Sequence, residues 1–322
     1  MALSKILNAS VTDSTLTTTK LATPNLGRRN IIINGAMQCW QRATSASAIG
    51  YTSVDRWSYY APSSLAISRS TDVPTGFQYA TSVGGGGDSS GLTQKIEAST
   101  CKQLVGATIT VSFYLKQTTG AGTDKIAVAL SRANSEDNFG GTTSISSQTI
   151  STTSSYARYT CTFASLPAEV ANGLQLTIKS NGSGSVVYLI TGVQVEANSQ
   201  ATPFEYRPYA EELTLCHRYF VKTNPADDNR ASGVTGVVYS TTQAVLDMVL
   251  PVIMRAAPTV SIGGSNNSYW IAGIHGTASA TIASSMYQPN VIWWELSSIS
   301  GGSPQRGYQI TYSGQVSIDA EL

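Results

Sequence analysis

The feature that most limits what this chain can fold into is a two-residue alternation of apolar and polar side chains, repeated in short runs. Ala107 to Lys116 reads ATITVSFYLK, which sets Ile109, Val111, Phe113 and Leu115 on one face. Successive side chains of a strand point to opposite faces, so such a run buries one side and wets the other. Lys125 to Leu130 and Tyr156 to Phe163 alternate in the same way, and Gly173 to Ile178 and Val186 to Val195 complete the set. Clusters of Gly, Ser, Thr and Asn separate these runs at spacings that suit a β-sandwich. One-sided alternation predicts antiparallel sheets. A short apolar strand is also expected from Asn30 to Gly35 (NIIING).

The ends of the chain read differently. Leu3, Ile6, Leu7 and Val11 share a helical face, but a helix this short is marginal alone in water. A Thr-rich stretch closed by Pro24 follows. Residues 1–28 are therefore read as an attachment or trimerising stem, with a loose terminus as the alternative. Residues 29–208 form the predicted sandwich. The spacing predicts a helix from Pro208 to Lys222, with Glu211 and Glu212 near its positive end and His217, Arg218 and Lys222 near its negative end. Leu213, Cys216, Tyr219 and Phe220 share a face of it. In an alternative, CHRYFVK is extended and opens the next sheet. The helix is taken as a link over 209–223, and residues 224–322 as a second β-sandwich.

Charged residues make up 12% of the chain, about half the usual share. Ser, Thr, Asn, Gln and Gly must then cover much of the surface, which is tolerable where subunits bury it. The net charge is +1 and no basic run exceeds Arg28-Arg29, so nucleic-acid binding is not expected. The opening MALSKILNASVTDS lacks the long apolar core of a secretory signal, and no apolar run approaches a membrane span. Cys39, Cys101, Cys161 and Cys216 show no CxxC spacing, so free thiols are expected rather than zinc ligands.

Catalytic chemistry is poorly supplied. The histidines are His217, expected on the polar side of the helix, and His275, expected in a glycine-flanked loop. No GxSxG elbow accompanies them. Asp227-Asp228, Asp124 and Glu136-Asp137 fall in loop-like sequence without the convergence a glycosidase needs. Asp55 is expected to be held by Arg56 or by backbone donors. Gly84 to Gly87 lacks a phosphate-loop frame and is read as a loop. Neither a metal nor a cofactor is expected. Aromatic residues are the better lead: Tyr269-Trp270, Tyr287 and Trp293-Trp294 lie in the second module. Neighbours in a strand face opposite ways, so one of each pair can pack inside while the other meets a sugar ring or another subunit. Trp40 and Trp57 are expected in the core.

Several motifs occur in a fixed order. Asn30 to Arg42 (NIIINGAMQCWQR) and Val54-Asp55-Arg56-Trp57 open the sandwich, and VSFYLK lies in its middle. Ile190 to Glu196 (ITGVQVE), Ala201 to Tyr209 (ATPFEYRPY), Glu211-Glu212-Leu213, Cys216 and Arg218-Tyr219-Phe220 close it. Over roughly residues 30 to 220 this order resembles tail-fibre and virion structural proteins of tailed bacteriophages. The last hundred residues resemble a fibre tip less sharply, in MRAAPTVSI and SIDAEL. The resemblance implies a jelly roll akin to carbohydrate-binding modules, a homotrimer, and a place on the virion. On that reading the stem meets other virion proteins, and the second module meets a host glycan or envelope protein. A purely architectural virion protein is the alternative, and a polysaccharide depolymerase a third. Independently, Pro203 and Pro208 restrict their neighbours, and Phe204, Tyr206 and Tyr209 add large apolar area, so this corner reads as a pin between modules.

Overall fold

A computed structural model describes residues 28–60, 65–85, 89–120, 122–181, 186–223, 235–238, 240, 242–263, 268–271, 274–277, 281–288, 291–297, 309–312 and 315–322. The stem expected over 1–28 lies outside these residues except for Arg28.

The first module is built from eleven strands. They are β1 (Ser45–Ala46), β2 (Ser58–Tyr60), β3 (Leu65–Ser70), β4 (Ala80–Gly85), β5 (Gly91–Ile96) and β6 (Ile109–Thr119). Then come β7 (Gly122–Ser135), β8 (Asn138–Thr152), β9 (Ala157–Phe163), β10 (Leu174–Ser180) and β11 (Val186–Glu196). A one-turn helix, α1 (Ala98–Cys101), follows β5. One sheet runs β1-β3-β4-β11-β6-β9 and the other β2-β5-β10-β7-β8. Every pairing is antiparallel, as the alternation predicts.

Between the two sheets lies a core of Ile109, Val111, Phe113 and Leu115 from β6, Ile126, Val128 and Leu130 from β7, and Leu174, Leu176 and Ile178 from β10. Trp57 is wholly buried in it, while Trp40 is only partly buried against it. This is a jelly-roll-type sandwich with inward aliphatic faces and outward polar ones.

The stretch from Asn30 to Gly35 is not a strand. Asn34 takes a left-handed backbone, φ 56°, and the chain turns there. Asn34 repays that conformation with its side chain: Oδ1 accepts from the Gln38 and Cys39 amides, and Nδ2 donates to the Cys39 and Asp55 carbonyls. Asn tolerates this region better than other residues with a Cβ. Gly84 and Gly85, read as loop, end β4.

The predicted helix is α2 (Tyr209–His217), which stops well short of Lys222. The extended alternative is right for its last residues, since Phe220–Lys222 form β12. The remaining strands are β13 (Thr235–Val238), β14 (Gln243–Val249), β15 (Thr259–Gly263), β16 (Ser268–Ile271) and β17 (Ile274–Thr277). After them come β18 (Thr281–Gln288), β19 (Val291–Ser297), β20 (Gln309–Tyr312) and β21 (Gln315–Asp319). They form a three-stranded sheet, β12-β21-β15, and a seven-stranded sheet, β17-β16-β20-β13-β14-β19-β18. His275, expected in a loop, belongs to β17. The last strand, β21, is thus inserted between β12 and β15, beside the end of α2.

Candidate functional site

Two places concentrate chemistry: a buried junction beneath the jelly roll, and the outward face of the seven-stranded sheet.

The junction is built by residues that sequence order keeps far apart. Arg42 follows the Asn34 turn, Asp55 and Arg56 precede β2, and Asp319 and Glu321 end the chain. Arg42 meets Asp319 at 2.9 Å, Glu321 at 3.5 Å and Asp55 at 3.7 Å. Arg56 is buried against Glu321 and donates to the Lys95 carbonyl at 2.8 Å. Each guanidinium also lies over a ring, Arg42 at 3.6 Å from the Phe220 centroid and Arg56 at 3.4 Å from that of Tyr219. Lys95 Nζ donates to the carbonyl of Leu322 at 2.5 Å, and the Ala320 amide donates to the Tyr219 carbonyl at 2.8 Å. The chain's last residues are therefore clamped to the jelly roll.

Burial shapes the charges here. It pushes the Asp55 carboxyl up to about 6, against the opposing pull of Gln41 and Arg42. It raises Glu321 as well, although Arg56 and Arg42 oppose the shift. Burial is the largest single influence on Arg56 and works against its charge, but Glu321, Tyr219, Tyr51 and Cys216 together outweigh it and hold the guanidinium protonated. Beside this group, Glu97 is buried, which works against its charge, yet it is held below its usual range because Arg218 donates to it at 2.8 and 3.0 Å and the Tyr219 hydroxyl at 2.5 Å. Of the two holders the sequence offered for Asp55, the backbone donor is the one present: the Gln41 amide donates to both carboxylate oxygens at 3.2 Å, the Gln41 side chain adds a bond at 2.9 Å, and Arg42 rather than Arg56 is the nearby arginine.

The prolyl-aromatic corner, expected as a pin between modules, packs instead on the jelly roll itself. Phe77, Phe204 and Tyr206 stack with centroids 4.9 to 5.3 Å apart, and Phe77 reaches Tyr114 of β6 at 5.3 Å. They cover Gly192, the bulged residue of β11, whose φ is +63°. A Cβ there would lie 2.6 Å from Phe77, so glycine serves both the backbone and the ring. Arg207 donates to the carbonyls of Ile32 and Asn30 and reaches Glu212 at 3.4 Å. Glu205 instead accepts from the Asn30 amide at 2.7 Å.

The five aromatic residues singled out in the sequence do not form one cluster. Tyr269 and Trp270 lie on β16, Tyr287 on β18, and Trp293 and Trp294 on β19. From β16 to β19 is four strand steps in the sheet order, about 19 Å at a spacing of about 4.8 Å. Trp293 pairs with Met286 and Asp247, whereas Tyr287 pairs with Ile292, one register position out of phase. Trp293 is 38% exposed, and Val237 at 51% and Val249 at 69% stand out on the same sheet. Val237 pairs with Val245, also exposed, while Ala244, Leu246 and Ile292 at the alternate positions are buried. Across β13, β14 and β19, then, the described side chains give one packed face and one valine-rich face in solvent. Sequence reasoning missed those valines: it placed a β-sandwich over 224–322, but not which side of its strands would stay uncovered.

Of the acids weighed as glycosidase candidates, Glu136 and Asp137 have described side chains, and each has a structural partner. Glu136 pairs with Lys102 on the surface, and Asp137 accepts from the Ala98 amide at 2.7 Å. Asp227-Asp228 lie outside the described residues. Among the described residues no group of three or more His, Cys, Asp or Glu side chains could hold a metal ion.

No protein-family profile and no curated protein matches the chain. Solved structures with some likeness include a putative sugar-binding protein from Bacteroides thetaiotaomicron, at 13% identity and a TM-score of 0.38, matching 53% of this chain and 100% of that one. The enzymatically active domain of bacteriophage CBA120 tailspike protein 4 matches 52% of this chain at 16% identity and a TM-score of 0.36, and the chain spans 21% of that protein. A xylan-binding domain of Paenibacillus barcinonensis Xyn10C matches 49% of this chain and 94% of that one, at 13% identity and a TM-score of 0.33. What the strand order itself defines is an all-β protein: a jelly-roll sandwich joined to further antiparallel sheets.

Proposed function

We propose that the chain is a non-enzymatic virion fibre protein of a tailed bacteriophage, which uses the outward face of its seven-stranded sheet to contact a host surface glycan or envelope component. The observation that carries this reading is that face: Trp293 beside exposed valines, on a sheet whose other side is packed. An indole offers a flat apolar surface to a sugar ring, and aromatic residues dominate binding energy at contact surfaces. The ordered motifs between Asn30 and Phe220 supply the virion context. The junction fits a protein that must hold a contact surface firmly on a fibre. Its carboxylates are buried against arginines, which suits load-bearing better than catalysis.

Deleting everything beyond about residue 225 would not test this reading. It would remove β21 and Glu321 and so strip the jelly roll of its clamp. The test is a point variant of the full chain: Trp293→Ala should keep the melting temperature and lose binding to an array of purified bacterial surface polysaccharides. Release of reducing ends from any of them would instead favour a depolymerase.

The valines favour a second reading, since aliphatic side chains suit a protein partner better than a sugar. An architectural fibre, with this face against another subunit, predicts that Val249→Asn changes the sedimentation coefficient while array binding stays absent.

A further inference from the structure

We propose that Cys39 and Cys216 are a disulfide pair, which an external disulfide oxidant such as oxidised glutathione closes to staple the Asn34 turn to α2. The two residues come from opposite ends of the jelly-roll sequence, yet the structure holds them together through shared neighbours. Asn34 fixes Cys39 from both sides, accepting from its amide at 3.0 Å and donating to its carbonyl at 2.9 Å. The Asn34 amide in turn donates to Glu212 Oε1 at 2.5 Å. Cys216 lies one turn after Glu212 on the same buried face of α2, which brings its thiol over the turn that carries Cys39. Both thiols are free and wholly buried, and they are side-chain neighbours. The other two cysteines are placed differently. Cys101 donates to the Ile96 carbonyl at 3.6 Å, and Cys161 sits within β9 opposite Val111.

Burial, with Asp55 and Glu212 nearby, keeps the Cys216 thiol protonated, so the closed native state reacts slowly. The bond forms during folding, or after α2 lifts. One thiol loses its proton, and the thiolate attacks the glutathione disulfide and expels one glutathione thiolate. The second protein thiolate then attacks the mixed disulfide and expels the other. Two protein thiols are oxidised, one glutathione disulfide is reduced to two glutathiones, and the two protons pass to them.

The test is refolding of the full chain from denaturant, where burial gives no protection, in an oxidising glutathione buffer and in a reducing one. After alkylation of remaining thiols and digestion, the oxidised sample should show a Cys39–Cys216 peptide about 2 Da lighter than its two reduced halves. Cys101 and Cys161 should be alkylated. The oxidised protein should melt roughly 5–10 °C higher, because the bond closes a long loop. Cys101→Ser should leave the link intact and Cys39→Ser should abolish it. Four alkylated cysteines, a different linked pair, or glutathione left attached to Cys39 or Cys216 would each overturn the proposal.

Discussion

At the junction, Arg42, Arg56, Asp55 and Glu321 are buried together; on the seven-stranded sheet, Val237, Val245, Val249 and Trp293 stand in solvent. The two regions reverse the usual placement of charge and apolar surface. The first is tolerable because each guanidinium finds carboxylates and a ring, and taking charge out of water is costly unless it is paired. The second leaves apolar area uncovered, which soluble proteins keep small unless something binds there. The contrast separates roles: the buried charges hold residues 319–322 onto the jelly roll, and on the proposed function the exposed valines and tryptophan make the contacts.

The largest break in that comparison comes from removing one partner at the junction. Glu321→Ala leaves Arg56 buried without its carboxylate and should cost about 3–5 kcal/mol, read from the denaturant midpoint. Arg56→Met combined with Glu321→Leu should restore much of that loss, since that pair is then neutral and Arg42 keeps Asp319 and Asp55. At the corner, Gly192→Ala should cost about 1–3 kcal/mol, because the backbone is left-handed and Phe77 occupies the space of a Cβ.

A pH series sharpens the junction further. Asp55 is raised from 3.8 to about 6 in the folded protein, so the folded state holds its proton more tightly than the unfolded chain does. That stabilisation is complete below about pH 4 and is lost as the pH rises through about 6. The wild type should therefore lose stability relative to Asp55→Asn across this window, read from paired unfolding curves. Parallel curves would show that Asp55 titrates normally. The smallest effects on stability belong to the exposed face. Val249→Thr should stay within about 0.5 kcal/mol of wild type by thermal unfolding, as surface changes do.

The legible parts of the fold were those where packing writes a period into the sequence. β6, β7 and β10 carry aliphatic residues at every second position because one side of each faces the core. β8 carries no such signal. Its Ser, Thr and Gly residues are largely exposed, and it is held by backbone pairing with β7. The expected strand at Asn30 failed because the side chain of Asn34 outcompeted the sheet for its neighbours' backbone groups. The motifs containing Arg42, Arg56 and Glu321 were visible, but their mutual contacts were not, because nothing in a local pattern says that a carboxylate at the end of the chain will meet an arginine near its start. The distal aromatics showed the reverse limit. Alternation said that the neighbours of each pair face opposite ways, but not how the pairs lie in the sheet, whose order places β16 and β19 far apart.

On the proposed function, the outward face of the seven-stranded sheet binds while the junction only holds. The direct measurement compares full-length wild type, Trp293→Ala and the paired Arg56→Met, Glu321→Leu variant on one array of bacterial surface polysaccharides, with melting curves for each. The claim predicts at least about tenfold weaker binding by Trp293→Ala at unchanged melting temperature, and wild-type binding by the folded junction variant. Equal binding by wild type and Trp293→Ala, or no binding by the wild type, would contradict it.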